Sequence, residues 1–218
     1  KPIKTKRVKI KNMSTKGWVQ KIIKEAQIDT GRISNYLKSR GLTGDVPDGI
    51  MFHPAVPYFE DGKKVGSFPA MVALITKGDQ NLGLHLTYLA KNSTGKAPVS
   101  NPKKQPKIAS DLTLSGGAVW LKLPEKGQPI ILCEGIETGL ACLQATGYPV
   151  AACGNTSLLR SVSLPKEGNQ FFIAADYDKN NAGINAAESL AHRLFQEDQE
   201  VYLLIPPHNP TSGMSSID

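Results

Sequence analysis

Two aspartates one residue apart, Asp176 and Asp178, follow an apolar run in "QFFIAADYDKNNAG", and Glu134 follows another in "PIILCEG". Carboxylates packed closely repel, each raising the pKa of its neighbour, unless a cation stands among them. A hard divalent ion with oxygen ligands, most simply Mg²⁺, removes that conflict. An isolated Asp-x-Asp is more often a turn or a helix cap. The joint pattern of a strand ending in Glu and a strand ending in Asp-x-Asp, with a helix after each, is far more specific and points to a metal site. Gly135 lets the backbone turn sharply or approach a phosphate, and Gly183 lets the following helix begin tight against the site.

Those acids need elements that bring them together. From Trp120 onward the chain alternates strand and helix. "PIILC" reads as a buried strand, "ETGLACLQAT" as a helix ended by Gly147, "PVAAC" as a strand running into Gly154-Asn155, and "TSLLRSV" as a short helix. "QFFIAA" is a further strand, "NAGINAAESLAHRLFQED" a long helix and "VYLLIPP" a closing strand. Four short apolar strands separated by helices predict a mainly parallel sheet covered on both faces. Ligands bind beyond the carboxyl ends of such strands, where all three acids fall.

The region before it has a different pattern. "KGWVQKIIKEAQI" predicts a helix capped by Ser14 or Thr15, with Trp18, Ile22, Ile23 and Ala26 on one face. A second short helix is predicted from about Ile33 to Arg40, stopped by Gly41. From Asp48 to Leu89 short apolar runs broken by turns, with an Asp-Gly hairpin signal in "FEDGKKV", predict a small antiparallel sheet. Residues 91–118, rich in lysine, proline, glycine and serine, read as a long loop or connector. The expected division is therefore 1–118 and 119–218.

The 218 residues carry a net charge of +7 and are 40% hydrophobic, enough for one large domain or two small ones. The basicity is local: residues 1–40 hold nine lysines and three arginines against Glu25 and Asp29, so the remainder is net acidic. A basic block beside an acidic body is the electrostatic footprint of a protein that neutralises phosphates. The arm Lys1–Lys11 has no apolar face for a membrane surface. No apolar stretch approaches the roughly 20 residues of a membrane span, so the expectation is a soluble, cytoplasmic protein. Cys133, Cys142 and Cys153 show no disulfide or zinc spacing and read as buried thiols. His53, His85, His192 and His208 lack ligand spacing and read as core or surface residues.

"ILCEGIETGLACLQATGYPVAACGNTSL" with "FFIAADYDKNNAGINAAESLAHRL" resembles the Toprim domain, shared by bacterial-type primases, type IA and type II topoisomerases, overcoming-lysogenization-defect nucleases and recombination mediator proteins. Upstream, "YLKSRGL" is similar to the element that opens the polymerase domain of bacterial-type primases. "GIMFHPAVPYF", "FPAMVALIT", "LGLHLTYLAKNSTGKA" and "SGGAVWL" resemble the primases of plasmids, phages and other mobile elements. Together the resemblance spans about residues 30–206. It implies an α/β fold, a Toprim-type mainly parallel sheet flanked by helices and preceded by a smaller α+β N-terminal subdomain.

It also implies roles. Glu134 would be an acid/base or metal-site group and Asp176 and Asp178 would bind Mg²⁺ or Mn²⁺, with Gly135, Asn155, Lys179 and Gly183 supporting them. Lys96, Lys103, Lys104 and Lys107, with Arg32 and Arg40, would contact the single-stranded DNA template or the NTPs. The implied activity is a DNA primase, a nucleotidyltransferase making short primers, whose competitors are a metal-dependent nuclease of the same fold and a non-catalytic nucleic-acid-binding or recombination-mediator module. A replicative helicase or a zinc-binding module is the partner expected in a full-length protein, since the usual zinc ribbon does not precede these motifs. The chain departs from replicative primases in carrying Thr138 where they have an aspartate, with Glu137 one position earlier, and Trp120 where many relatives have arginine. The role of Glu137 stays open, as does that of Asp218, which resembles the first acid of a closing lysine-aspartate motif.

Overall fold

The computed structural model describes residues 17–206 apart from 30, 93, 167 and 179. The basic arm, the Ser14 and Thr15 caps, Lys179, His208 and Asp218 lie outside the described residues. Helix α1 (Gly17–Glu25) buries Val19 and Ile22, spaced one turn apart. The expected buried face is rotated: Trp18 stands one position off that stripe and is half exposed. Helix α2 (Arg32–Ser39) follows, its first turn capped by the Asp29 carboxylate, which accepts from the Ile33 and Ser34 amides at 2.8 and 2.9 Å. Gly41 follows it at φ +77°, the left-handed turn that ends helices.

Three long strands come next, β1 (Ile50–Glu60), β2 (Lys63–Lys77) and β3 (Gln80–Tyr88), paired antiparallel in that order. The β1–β2 turn is the predicted Asp-Gly pair, with Asp61 and Gly62 both at positive φ as a type I′ turn requires. The expected loop over 91–118 is more ordered than a connector. Its residues Lys103–Lys104 form β4, hydrogen-bonded to β3, and further bridges join Leu89 to Lys96 and Gly83 to Lys107. Proline and lysine content hides this from the sequence, because the pairing partner lies in β3 rather than nearby.

The second sheet has the order β5-β7-β6-β8-β9. Strands β6 (Gln128–Cys133), β7 (Val150–Ala152), β8 (Gly168–Ala174) and β9 (Glu200–Leu204) are parallel, as their alternation with α3 (Ile136–Thr146), α4 (Thr156–Ser161) and α5 (Ala182–Gln196) predicts. The addition is β5 (Val119–Lys122), an antiparallel edge strand on β7 that the sequence pattern does not announce. Alternate residues face opposite ways: Ile131 and Cys133 pack with α3, whereas Ile130 and Leu132 pack with α4 and α5. The sheet is thus flanked by helices on both faces.

The two sheets share a core. Ile33, Tyr36 and Leu37 of α2 and Met71, Ala73 and Ile75 of β2 lie in the same apolar cluster as Val119, Leu121, Ile131 and Ile136. Backbone hydrogen bonds join Thr76 to Ala118 in both directions, at 2.9 and 3.0 Å. Among the described residues no helix is long and apolar enough to cross a membrane.

Helix α3 lies close on the sheet because Gly139 has no side chain there. A Cβ would stand 2.7 Å from Leu121 Cδ1, 3.0 Å from Cys133 Sγ and 3.2 Å from Val150 Cγ1. Gly139→Leu therefore lifts α3 off the strands and is expected to lower stability by about 1–3 kcal/mol, read as a reduced urea midpoint. An unchanged midpoint would contradict this packing.

Candidate functional site

Register brings the acids together. Cys133 of β6 is paired with Ala152 of β7 on one side and with Ala174 of β8 on the other. The segments Glu134-Gly135, Cys153-Gly154 and Ala175-Asp176 therefore leave the sheet side by side. Glu134 and Asp176 are half buried, and both carboxyls are held above their ordinary values. For Glu134 burial comes first and the Asp176 charge second; for Asp176 burial again leads, with Glu137 and Asp178 adding repulsion. The Thr138 hydroxyl opposes this by donating to Asp176 Oδ1 at 2.9 Å.

Asp178 plays a second part. Its Oδ1 accepts from the amides of Asn180 at 3.0 Å and Ala182 at 2.8 Å, and its Oδ2 from Gly183 at 3.1 Å, so it caps the start of α5. A side chain at Gly183 would run into the Asp176 carbonyl oxygen, which fixes glycine there. Gly135 is open on the same acids: a Cβ would lie 3.3 Å from Thr138 Oγ1, 3.7 Å from Asp176 Oδ2 and 3.9 Å from Glu137 Oε2. Asn155 caps α4 through the Leu158 amide at 2.8 Å, and its side-chain amide donates to Gln105 Oε1.

Among the described residues no three His, Cys, Asp or Glu side chains are drawn tightly enough to cage an ion on their own. The chemistry of the donor set nevertheless fits a hard divalent cation: carboxylate oxygens at adjoining strand ends, with two carboxyls kept high by burial and mutual repulsion. The cysteines are free and, like the buried His85, are not part of that set; burial holds the Cys133 thiol well up and the His85 imidazole down to about 4.

Glu137 sits deepest, only 6% exposed, between two donors from the other sheet's side of the molecule. The Tyr36 hydroxyl donates to its Oε1 at 2.7 Å, and Lys103 Nζ to its Oε2 at 3.3 Å. Burial works to raise its pKa, but the charge of Lys103, the Tyr36 hydrogen bond, its own amide and the charge of Lys96 together lower it to about 2. Tyr36 is pushed strongly upward, first by burial and then by the Glu137 charge, so the proton stays on the phenol and the carboxylate stays ionised.

The six basic residues expected at the site divide. Lys103 acts on Glu134, Glu137 and Asp176 alike, and Lys96 acts on Glu137. Arg40 acts on Tyr36. Lys104 is turned away, over the Tyr58 ring at 4.1 Å and bonded to the Phe59 carbonyl, Lys107 bonds the Ser110 carbonyl and Arg32 the Lys91 carbonyl. Sequence reasoning does not single out Tyr36, Gln105 or Arg160, whose charge acts on Glu134. Tyr36 lies in the quoted "YLKSRGL", yet nothing local tells that its hydroxyl meets a carboxylate 101 positions away.

Two family models match the chain. One, described as a domain of unknown function (DUF7146), matches residues 14–120, and one described as a Toprim domain matches residues 129–213. Among curated proteins none matches in sequence. Solved structures with similar folds include the primase fragment of the bacteriophage T7 primase-helicase protein, with TM-score 0.50, 18% identity, and coverage of 83% of this chain and 65% of that one. A DNA primase domain from Pseudomonas aeruginosa gives 0.53, 17%, 80% and 63%. The DnaG catalytic core gives 0.55, 15%, 87% and 69%. The chain thus spans less than two thirds of the length of the first two.

Glu137→Gln keeps the shape of the side chain and removes its charge, leaving Lys103 without its ion pair. The expected loss at neutral pH is about 1–3 kcal/mol. A carboxyl lowered from 4.5 to about 2 on folding contributes stability that is full above 4.5 and is lost as the pH falls through 2. Glu134 and Asp176, both raised, titrate with the opposite sign, but they are common to both proteins. The stability difference between wild type and variant, from urea unfolding, should shrink as the pH drops from 4.5 toward 2; a constant difference would overturn the assignment.

Proposed function

We propose, for a chain whose residues 129–213 match a Toprim domain and whose fold is that of primase catalytic cores, that it is the catalytic part of a DNA primase acting for a plasmid, phage or other mobile element. The observation that carries this is the emergence of Glu134 and Asp176 at adjoining strand ends, with the charge of Lys103, held at Glu137, acting on both. Residues 1–118 would form the smaller N-terminal lobe and 119–218 the catalytic lobe.

In this reading a 3′-hydroxyl attacks the α-phosphate of an NTP on a single-stranded DNA template, and pyrophosphate leaves. Glu134, Asp176 and Asp178 would hold Mg²⁺ or Mn²⁺, which supplies charge neutralisation and alignment of the attacking and leaving oxygens. Lys103, kept in place by Glu137, presents its ammonium where triphosphate charge would lie. Thr138 fixes the Asp176 carboxylate, and Asp178 ties the acidic loop to the start of α5. Gly135 brings the backbone close to the acids, where a side chain would crowd the Thr138 hydroxyl at 3.3 Å. A helicase or zinc-binding module in a longer protein would deliver the template.

Incubation of the chain with a single-stranded DNA template, labelled NTPs and Mg²⁺ or Mn²⁺ tests the reading. Wild type is expected to make short RNA products and Asp176→Asn to make at least about a hundredfold fewer. Cleavage of the DNA without primers would replace the proposal with a nuclease. Binding without either reaction would replace it with a non-catalytic nucleic-acid-binding module.

A further inference from the structure

One turn of the second sheet is seated on side chains of the first. Leu86 of β3 is paired with Lys104 of β4, and the ladder continues as the Leu84 amide donates to the Pro106 carbonyl at 2.9 Å, so Gln105 stands level with His85. Residues level with each other across an antiparallel pair share a face of the sheet, and both of these meet Gly154, just past β7. A Cβ on Gly154 would stand 2.0 Å from Gln105 Nε2 and 2.7 Å from His85 Cδ2, and its φ is +86°, so glycine is required there.

The Gln105 side chain holds that turn on either side of Gly154. Its Nε2 donates to the Cys153 carbonyl at 3.3 Å, and its Oε1 accepts from Asn155 Nδ2. One planar amide supplies the donor and the acceptor together, which neither an ionised carboxylate nor an ammonium can do. Between these anchors the Gly154 amide donates to the Glu134 carbonyl at 2.6 Å, next to the 2.9 Å bond from the Cys153 amide to the Cys133 carbonyl. Glu134 lies one residue past the last pair of β6 with β8, Cys133 with Ala174. Its main chain is therefore held by the turn that Gln105 holds.

We propose that Gln105 is a positioning residue for the metal site: anchored on the first sheet, it fixes the Cys153–Asn155 turn and, through the Gly154 amide, the Glu134 main chain, so that the Glu134 carboxylate meets the cation beside Asp176. The proposal rests on the metal-binding part of the function proposed above, but needs no turnover. Loss of a partner that orients a ligand typically weakens metal binding by about 10- to 100-fold. A glutamine that only docks the two halves together would not do so, and Gln144 is of that kind. It stands in the last turn of α3, at the far end of that helix from Glu134, and accepts from the Thr43 and Gly44 amides at 3.0 Å each.

Mn²⁺ alone is titrated into the full chain, without DNA or NTPs, and the free ion is followed by its electron paramagnetic resonance signal. Wild type is expected to bind with an affinity that Asp176→Asn lowers. Gln105→Met keeps the length of the side chain without its hydrogen bonds, and Asn155→Ser keeps a cap for α4 without the reach to Gln105. Each should bind Mn²⁺ about 10- to 100-fold more weakly than wild type. Both break the same link, so the double variant should bind no more weakly than the worse single one. Gln144→Met should lower the melting temperature and bind Mn²⁺ as wild type does. Wild-type affinity in Gln105→Met, additive losses in the double variant, an equal loss in Gln144→Met, or no Mn²⁺ binding sensitive to Asp176→Asn would each overturn the positioning role. Primer synthesis by wild type with unaltered Mn²⁺ affinity in Gln105→Met would leave the primase reading intact and sink this one; the expected Mn²⁺ affinities without primers would do the reverse.

Discussion

A carboxylate that is almost completely enclosed by protein must find its charge partners inside it, and Glu137 finds them on elements from the other half of the molecule. Tyr36 comes from α2 and Lys103 from β4, while Glu137 itself stands in the first turn of α3. Removing a charge from water is costly unless donors are already in place, so the position of α3 is coupled to those of α2 and β4. That coupling carries through to the chemistry. Lys103 reaches the acidic strand ends because its ammonium is held at Glu137, and the shared apolar core keeps the distance short.

Several parts of the fold are legible locally. The apolar runs before Glu134 and Asp176, the Asp-Gly turn at residues 61 and 62 and the glycine that ends α2 each depend on neighbours a few residues away. The parts that are not legible depend on distant partners. β5 is four residues long and is defined by hydrogen bonds to β7, and β4 is two residues long and is defined by β3. Of the four connector lysines, sequence offers no way to choose Lys103, because the choice is made by a carboxylate 34 positions later. Trp18 shows the same limit from the other side: helical spacing puts it near an apolar stripe, and tertiary packing centres that stripe on Val19 and Ile22.

The acids themselves show how an active-site pattern and a structural pattern coincide. Asp178 stands in an Asp-x-Asp pair, and its carboxylate oxygens accept from the amides that open α5. Asp176 is oriented by the Thr138 hydroxyl. With Thr138 neutral, repulsion among the strand-end carboxylates is smaller than a fourth charge would make it. Glu137, one position earlier, spends its charge on Lys103 instead.

The core common to both sheets has a consequence for how such a molecule can change over generations. The two family matches end and begin near residues 120 and 129, as if each were a separable piece. Yet α2 and β2 pack directly against β5, β6 and α3, and β2 is hydrogen-bonded to Ala118 just before β5. A substitution in one half must therefore be answered in the other, and a half exchanged for that of a distant relative would meet a surface it does not fit. The two pieces are physically matched, and the Tyr36–Glu137 hydrogen bond is one place where a change in either is felt by the other.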